Sequence, residues 1–291
     1  MIQFVNAKLN LGLHIVRRRP DGYHDLETLF YPVGIHNGTP QCPAPFCDVL
    51  EINRSCSDAD VIELTGRQLD CPLGKNLAVK ALNIFREHCK ESFAVELRLE
   101  KHLPDGAGLG GGSADASFVL RALNELSGYP FTDEELARMA LALGADCPFF
   151  ILNRPAFGEG VGEKLVETEP LLRGMWCVIV KPPLHISTRE AFAGVTPDDT
   201  RAPLTEIAKA PLAEWKELLA NDFERSLFPR YPELREIKEK LYAEGAAYAS
   251  MSGSGASLFG IYLSRSAAEK ALGAFYIDPR WAQCYTALCL L

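Results

Sequence analysis

Apolar and polar residues alternate along the chain with two periods, one typical of helices and the other of strands. After Asn76, a candidate N-cap, apolar residues recur at helical spacing as far as Phe85 and predict a helix. From Phe93 to Glu100 every second residue is apolar, as in a strand with one buried face. The chain therefore mixes helices and strands, and its sequence shows no fixed-period repeat or low-complexity tract.

Capping and turn signals place further elements. Thr132 and Glu135 form a capping box, which predicts the start of a helix. The turn that follows this helix, at residues 144–148, holds Asp146 directly before an apolar run at residues 149–152 that we interpret as a strand. Asp146 is thus expected at a fixed junction between two elements.

The second half of the chain repeats the mixture of elements. We predict strands at residues 176–180 and 258–262, and helices at residues 211–220 and 232–241. The pattern restarts near residue 155, where we place a domain boundary. The prediction is an α+β fold of two lobes, with an N-terminal domain at residues 1–155 and a C-terminal domain at residues 156–291.

A glycine-rich segment, His102 to Ser113, lies between the predicted strand before it and the next helix. Five of the seven residues from Gly106 to Gly112 are glycine, a density that disfavours a regular element. The backbone N–H groups of such a loop converge on an anion at the helix N-terminus, where the helix dipole also favours negative charge. The segment therefore predicts a phosphate site, with a tight connection that binds nothing as the alternative.

Two other phosphate-loop patterns fit this segment less well. Residues 106–111 match the GxGxxG pattern of dinucleotide-binding proteins, but Pro104 and Asp105 separate them from the strand, and the acidic residue expected ~20 positions later is missing. A Walker loop is excluded because no Gly-Lys-Ser/Thr ends the glycine run. An NAD-dependent oxidoreductase is an alternative that binding of NADH, without affinity for ATP analogues, would favour.

Composition and charge exclude several classes of protein. The 291 residues carry a formal charge of -8, which lacks the basic excess of non-specific nucleic-acid binders. Nine cysteines without a C-x-x-C pair argue against a zinc site and against a secreted disulfide framework. No apolar run reaches the ~18 residues of a membrane span, and the N-terminus lacks a signal-peptide pattern. We therefore expect a cytoplasmic protein without nucleic-acid or membrane partners.

Four ordered segments resemble one known family. Residues 104–113 resemble the P-x-x-x-G-L-G-x-x-S/A loop of the GHMP kinases, the group of galactokinase, homoserine kinase and mevalonate kinase. The segments AKLNLGL with RPDGYHDLET (residues 7–28), LGADCPFF (143–150) and MSGSGA (251–256) look like the signature of the subfamily that phosphorylates a cytidine-diphosphate methylerythritol. Because the segments span most of the chain in the family's order, they are more specific together than any one of them.

The resemblance implies a fold, a reaction and a set of binding residues. The fold is the two-lobed GHMP kinase fold, with an N-terminal nucleotide-binding lobe and a smaller C-terminal α/β-sandwich lobe. The reaction is ATP-dependent phosphorylation, with magnesium, of the 2-hydroxyl of 4-(cytidine 5'-diphospho)-2-C-methyl-D-erythritol, in the non-mevalonate isoprenoid precursor pathway. By family analogy, the residues that wrap the ATP phosphates are Pro104, Asp105, Gly106, Ala107, Gly108, Leu109, Gly110, Gly111, Gly112, Ser113 and Ala114.

Lys8 and Asp146 match the family's catalytic pair. Phosphoryl transfer is limited by alignment and by charge on the transferring group, so it needs a group beside the acceptor hydroxyl and a cation beside the phosphate. Asp146 would orient or deprotonate the hydroxyl, and Lys8 would supply the cation. From spacing alone, Lys8 also fits a solvated strand residue and Asp146 a turn-forming side chain.

The cytidine end of the substrate has its own candidate residues. The turn at residues 20–22 presents Tyr23 and His24 together. In the family the tyrosine stacks on the base, the histidine bonds to its edge, and an aromatic residue after a Ser-Thr pair covers the other face. That aromatic is Phe192 here, although without the resemblance it reads as a core residue. The substrate contacts implied are Asn10, Tyr23, His24, Thr188 and Phe192.

Some features depart from the family pattern. Other GHMP kinases have two serines after Gly-Leu-Gly, one of them associated with magnesium, but this chain has Gly111 and Gly112, and Ala114 replaces a second serine common in the subfamily. We therefore assign no metal ligand. Residues 37–57, rich in proline and cysteine, are interpreted as an inserted loop without assigned function. Glycines 158, 160 and 162 fit either an approach to substrate or a tight hairpin.

Two further alternatives concern function. A mevalonate- or homoserine-type kinase of the same fold is disfavoured by Tyr23 and His24, because neither substrate has a base to bind. A non-catalytic nucleotide sensor would bind ATP without forming a phosphorylated product, and the presence of both Lys8 and Asp146 argues against it. The sequence does not indicate the oligomeric state.

Overall fold

The computed structural model describes residues 1–34, 46–67, 72–90 and 93–291. Within these ranges the strands are β1 (Ile2–Arg18), β2 (His24–Val33), β3 (Cys47–Arg54), β4 (Val61–Gly66), β5 (Val95–Lys101), β6 (Ala156–Glu159), β7 (Lys164–Glu167), β8 (Trp176–Lys181), β9 (Tyr248–Met251), β10 (Leu258–Tyr262) and β11 (Tyr285–Leu290). The helices are α1 (Leu77–His88), α2 (Gly111–Leu126), α3 (Asp133–Leu143), α4 (Cys147–Leu152), α5 (Thr188–Ala193), α6 (Leu204–Ile207), α7 (Trp215–Leu218), α8 (Phe223–Leu227), α9 (Pro232–Ala243) and α10 (Arg265–Ile277). None of these helices combines the length and the apolar character needed to cross a membrane.

The strands form two sheets. The larger sheet has the order β4-β5-β3-β1-β2-β6-β7, and the smaller has the order β11-β8-β10-β9. Neighbouring strands run antiparallel, apart from the parallel pair β4 and β5. Together with the helices, the two sheets confirm the predicted α+β fold of two lobes.

Three apolar cores hold the lobes together. Helices α1 to α4 pack against the larger sheet, where Leu97 and Leu120 share one core. Helices α9 and α10 pack against the smaller sheet in a second core. In the third core, Leu9 of β1 packs with Ile179 of β8 and Phe259 of β10. The smaller sheet therefore covers the part of the larger sheet that its own helices leave open.

Strand β1 lies at the centre of this arrangement. Every residue from Val5 to Ile15 is buried, because helices cover one face of the strand and the second lobe covers the other. The buried residues include the polar side chains of Lys8, Asn10 and His14. Buried polar groups of this kind normally have hydrogen-bond partners, so β1 is where the fold can hold charged groups in fixed positions.

The apolar run at residues 149–152 is helical rather than extended, so the strand predicted there was wrong. A short apolar run fits a buried helix as well as a buried strand. Here Pro148 occupies the first turn of α4, a position in which proline favours helix initiation. Phe149 and Phe150 then pack into the core of the larger sheet. The capping box at Thr132 and Glu135 is present as predicted and begins α3.

The segment interpreted as an inserted loop contains a central strand. Residues 46–57 are described, and β3 pairs with both β1 and β5. Leu50 and Ile52 are fully buried between them, an alternation that the neighbouring prolines and cysteines obscured. Cys47 is accordingly a buried strand residue rather than a loop cysteine. Residues 37–45, which carry the rest of that prediction, lie outside the described residues.

Two helices differ from their predicted bounds. Helix α2 begins at Gly111, so the last residues of the glycine-rich segment are helical. The predicted helix at residues 211–220 is reduced to a 3-10 turn at Leu212–Glu214 and the single turn α7, because Leu219 is already extended. At the start of α2, glycine is tolerated because it lets the backbone of the first turn approach another group closely.

The predicted domain boundary at residue 155 falls directly before β6. Strand β6 pairs with β2, and β7 pairs with β6, so the larger sheet continues to Glu167. Gly160 and Gly162 lie in the turn between these strands with φ values of +72° and +114°. A tight hairpin therefore explains these glycines.

Candidate active site

A cavity of about 160 Å³ lies between the two lobes and is called the cleft here. Its walls come from β1, β2, the turn before α4, the helices α5 and α8, the glycine loop (residues 104–110) and the serine loop between β9 and β10 (residues 252–257). A larger cavity of about 890 Å³, beside Arg154 and Leu291, contains none of the predicted site residues. The lining of the cleft includes Lys8, Asn10, Thr28, Phe30, Gly108, Asp146, Thr188, Phe192 and Ser254.

The glycine loop bends through three residues with left-handed backbone. Gly106, Gly108 and Gly110 have φ values of +57°, +70° and +72°, a region that residues with side chains rarely adopt. Gly110 is the N-cap of α2 and has no side chain to bond to the first turn. The first N–H groups of α2 are therefore left to bind an anion, as the strand–loop–helix pattern predicted.

Gly108 brings the glycine loop into backbone contact with the serine loop. A Cβ atom at Gly108 would lie 2.0 Å from the carbonyl oxygen of Ser252, so only glycine fits. The Ser252 hydroxyl donates to the Gly108 carbonyl at 2.8 Å, and the Ser257 N–H donates to the Ala107 carbonyl at 3.2 Å. The N–H of Lys8 donates to the Leu109 carbonyl at 2.9 Å. These bonds fix the loop over the cleft and next to β1.

Lys8 and Asp146 form an ion pair in the cleft. The Lys8 Nζ and Asp146 Oδ2 atoms are 3.3 Å apart, and the side chains are 2% and 37% exposed, respectively. Lys8 is therefore not the solvated strand residue that its spacing also allowed. Asp146 stands at the N-terminus of α4 without a side-chain bond to that helix, so its carboxylate can face a ligand. The pair joins the first strand to a helix more than a hundred residues later in the chain.

Asn10 is held beside Lys8 by a chain of hydrogen bonds. Its Oδ1 accepts from Lys8 Nζ, and its Nδ2 donates to Thr28 Oγ1 at 3.0 Å. Thr28 in turn donates to the Gly12 carbonyl at 2.6 Å. Because both side chains are buried, the ammonium of Lys8 is fixed in position before any ligand binds.

At the other side of the cleft, His24 and Phe192 stack on each other. Their ring centroids are 4.9 Å apart with an interplanar angle of 22°, and Phe192 also makes an edge contact with Phe223. Burial and the nearby Arg18 guanidinium lower the pKa of His24, so its ring is neutral at pH 7. A neutral imidazole has one donor and one acceptor nitrogen, as recognition of a base edge requires.

The structure brings five of the seven predicted catalytic and substrate-binding residues to one cavity, and Tyr23 and His24 are not part of its lining. Lys8, Asn10, Asp146, Thr188 and Phe192 line the cleft together with Gly108. Thr188 lies at the start of α5, 3.4 Å from the Ser254 hydroxyl of the serine loop. Tyr23 stands apart, since it is 66% exposed and lies at the turn before β2.

Sequence reasoning missed several residues that surround the site. Thr28 and Phe30 line the cleft on the same face of β2 as Leu26, at every second residue, so the period of the strand after His24 could have indicated them. Ser254 lies within a recognised motif but received no role. A buried cluster of Lys101, Asp48 and Asp115 below the glycine loop gave no signal in the sequence, because its members come from three separate elements.

A resident metal site is not evident among the described side chains. Within residues 1–34, 46–67, 72–90 and 93–291, no three His, Cys, Asp or Glu side chains come together so as to hold an ion.

The fold and the site together define a class of enzyme. Residues 76–154 match the family model described as GHMP kinases N terminal domain, and residues 204–278 match the model described as GHMP kinases C terminal. The solved structure of a mevalonate kinase from Methanococcus jannaschii shares the fold, with a TM-score of 0.71 at 12% identity over 100% of this chain and 98% of that chain. The class is therefore the GHMP kinases, which confirms the resemblance.

Nearer relatives narrow the class to one family. The 4-diphosphocytidyl-2-C-methyl-D-erythritol kinases of Parabacteroides distasonis and Porphyromonas gingivalis are 46% and 43% identical to this chain, over 90% and 93% of it and 92% and 95% of their own lengths. A crystal structure of 4-(cytidine 5'-diphospho)-2C-methyl-D-erythritol kinase aligns over 100% of both chains with a TM-score of 0.79 and 32% identity. The chain belongs to the 4-diphosphocytidyl-2-C-methyl-D-erythritol kinase family.

The contact at Gly108 leads to a prediction about stability. Gly108→Ala should lower the free energy of unfolding by at least ~1–2 kcal/mol, because alanine is strained at this φ and its Cβ collides with Ser252. Gly112→Ala is the matched control, since its Cβ would lie 3.7 Å from Leu77 Cδ1 in a helix where alanine is favoured. Urea unfolding of the two variants measures the difference. Equal stabilities would contradict the role given to this contact.

Proposed function

We propose that the protein transfers the γ-phosphoryl group of ATP to the 2-hydroxyl of 4-(cytidine 5'-diphospho)-2-C-methyl-D-erythritol. The observation that carries this proposal is the Lys8–Asp146 ion pair, which faces the same cavity as the glycine loop. The names of the relatives, at up to 46% identity over 90% of the chain, support the choice of substrate.

Each group is proposed to have one part in the transfer. The glycine loop and the first N–H groups of α2 hold the ATP phosphates, and the acceptor hydroxyl lies against Asp146. The hydroxyl oxygen bonds to the γ-phosphorus as the bond from that phosphorus to the β–γ bridging oxygen breaks, ADP leaves, and Asp146 accepts the hydroxyl proton. Lys8, already fixed by Asn10, stabilises the negative charge on the transferring group without reorganisation.

Magnesium enters this proposal with the nucleotide. The described side chains form no site of three or more acidic, histidine or cysteine ligands, so we assign no resident metal to the protein. In kinases magnesium is commonly held by substrate phosphates and water with few protein ligands. When bound in this way it neutralises phosphate charge, which Lys8 then supplements.

The cytidine base is proposed to bind at His24, Tyr23 and Phe192. Phe192 supplies an aromatic face at the edge of the cleft, and the neutral ring of His24 can bond to the base edge. Tyr23 precedes His24 in the chain and is 66% exposed, so its ring would stack on the other face of a bound base. The two ends of the substrate would thus be recognised on opposite sides of the cleft.

A cytoplasmic location belongs to the same proposal. Among the described residues, the cysteines at positions 56, 89, 147, 177 and 284 are free thiols. Free thiols in such number are typical of a reducing compartment. A kinase that uses ATP also fits that environment.

The proposal predicts a substrate preference and a loss of turnover in two variants. ADP release should depend on the cytidine substrate and not on mevalonate, homoserine or galactose supplied in parallel. Lys8→Ala and Asp146→Asn should each lower kcat at least ~10²-fold, because each removes a preorganised charge from the transfer step.

The matched controls for these variants are Lys80→Ala and Asp58→Asn, which change exposed residues away from the cleft. Both should keep the wild-type rate. ADP release with mevalonate but not with the cytidine compound would reject the substrate. Near-normal turnover of Asp146→Asn would remove Asp146 from the mechanism.

Base recognition predicts a selective change in KM. His24→Ala should raise the KM for the cytidine substrate ~10-fold, by loss of a hydrogen bond in a partly buried site, and leave the KM for ATP unchanged. The pKa of His24 is lowered, and its ring is neutral above that pKa. The wild-type KM for the cytidine substrate should therefore be constant from pH 7 to 8 and rise only toward acid pH. Steady-state kinetics with each substrate varied in turn measures both effects.

The control for His24 is His88→Ala, since His88 ends α1 at the surface. It should leave both KM values unchanged. An equal rise of both KM values in His24→Ala would indicate a general disturbance of the cleft rather than recognition of the base.

A further inference from the structure

Three charged side chains are buried together below the glycine loop. The ammonium of Lys101, at the end of β5, donates to Asp48 of β3 and, at 2.5 Å, to Asp115 of α2. The three side chains are at most 3% exposed. Burying ions costs several kcal/mol each before their attraction is counted, so stability alone is a weak reason for such a cluster.

The cluster joins the two ends of the glycine loop. Asp48 Oδ1 accepts the N–H groups of His102 at 2.6 Å and Leu103 at 2.8 Å, directly before the loop begins. Asp115 lies one turn into α2, directly after the loop ends. Lys101 Nζ is 3.7 Å from the position of a Cβ at Gly111, the first residue of α2. The charges therefore lie under the N–H groups that face the proposed phosphate site.

The charges of this cluster do not balance. It contains one cation and two carboxyl groups, and Asp115 Oδ1 is buried without a hydrogen-bond partner. With both carboxyls ionised, the cluster has a net negative charge in a medium of low dielectric, where it repels phosphate. Burial, opposed by Lys101 and reinforced by Asp48, raises the pKa of Asp115 to about 7. A proton on Asp115 removes the excess charge near neutral pH.

We propose that the Lys101–Asp48–Asp115 cluster couples ATP binding at the glycine loop to the uptake of a proton by Asp115. This inference rests on the proposed function, because it takes nucleotide phosphates as the anion. The phosphate charge disfavours the ionised form of Asp115, so the complex retains a proton that the free enzyme partly loses. ATP affinity is therefore greatest below neutral pH and falls as Asp115 of the free enzyme ionises.

Other elements packed against α2 contribute few groups that titrate in this range. Helices α1, α3 and α4 contact α2 through apolar residues. Burial raises the pKa of Cys147 in α4 to about 12, so it remains a thiol. Further charged or titratable groups near the cluster or the loop include Lys8, paired with Asp146, and His102, whose Nε2 lies 3.2 Å from Glu100 Oε1. Burial raises the pKa of Asp105, which also interacts with Lys101, Asp48, Arg67 and His185.

The test is calorimetric titration of the full chain with ATPγS and magnesium at pH 7.5, in two buffers of different ionisation enthalpy. The thiophosphate is fully ionised at this pH, so an uptake of protons reports the protein. Wild type should take up a fraction of a proton and Asp115→Asn none. Between pH 6.5 and 8.5 the wild-type Kd should rise roughly 3- to 10-fold more than that of Asp115→Asn, as for a pKa shift of up to about one unit.

His185→Gln separates the cluster from a histidine side chain that lies beside the glycine loop. His185 lies beside Gly106, where an added Cβ would be 2.6 Å from its Nδ1, and this variant should keep the wild-type proton uptake. Loss of uptake in His185→Gln, or full uptake in Asp115→Asn, would overturn the inference.

Wild type alone also decides the question if Asp115→Asn does not fold. Binding of ATPγS without proton uptake at pH 7.5 would overturn the inference, and ADP release with the cytidine substrate would leave the proposed function intact. Absence of both binding and ADP release would instead reject the proposed function, and the inference with it.

Discussion

The backbone contact between Gly108 and Ser252 is the constraint on which the site depends. It joins a loop of the first lobe to a loop of the second so closely that a Cβ at Gly108 would lie 2.0 Å from the Ser252 carbonyl oxygen. The same loop receives the N–H of Lys8 at Leu109. The proposed phosphate-binding backbone and the Lys8–Asp146 pair therefore face one cavity. Phosphoryl transfer requires this shared geometry, because donor and acceptor have to be aligned before reaction.

An acidic protein that binds two anionic substrates has to create its positive field locally. The chain has a net charge of -8, yet the described structure places N–H groups and the start of a helix at the glycine loop and a 2% exposed lysine beside Asp146. Fields of buried groups are screened less by salt than those at the surface. The Lys101–Asp48–Asp115 cluster is proposed to act in the same local way, because a proton on Asp115 removes its excess negative charge below the glycine loop.

Helix caps and family motifs could be predicted from the sequence, whereas burial that depends on distant residues could not. The capping box at Thr132 and the N-cap at Asn76 depend on residues a few positions apart, and both are present. The run at residues 149–152 was misassigned because four apolar residues have no period of their own. Lys8 is buried only because a second lobe covers β1, and the partners of Lys101 come from β3 and α2. No local pattern encodes such contacts.

The cleft is proposed to direct phosphate to one hydroxyl of the substrate, and phosphorus NMR of the product tests this choice of hydroxyl. The carbon that bears the 2-hydroxyl also carries the methyl group and has no hydrogen. A phosphate attached there should give one new phosphomonoester signal, formed together with ADP, that shows no three-bond P–O–C–H coupling. A signal split by hydrogens on the carbon that bears the phosphate oxygen would place the phosphate on another hydroxyl, and inorganic phosphate alone would show hydrolysis. Either result would contradict phosphorylation of the 2-hydroxyl.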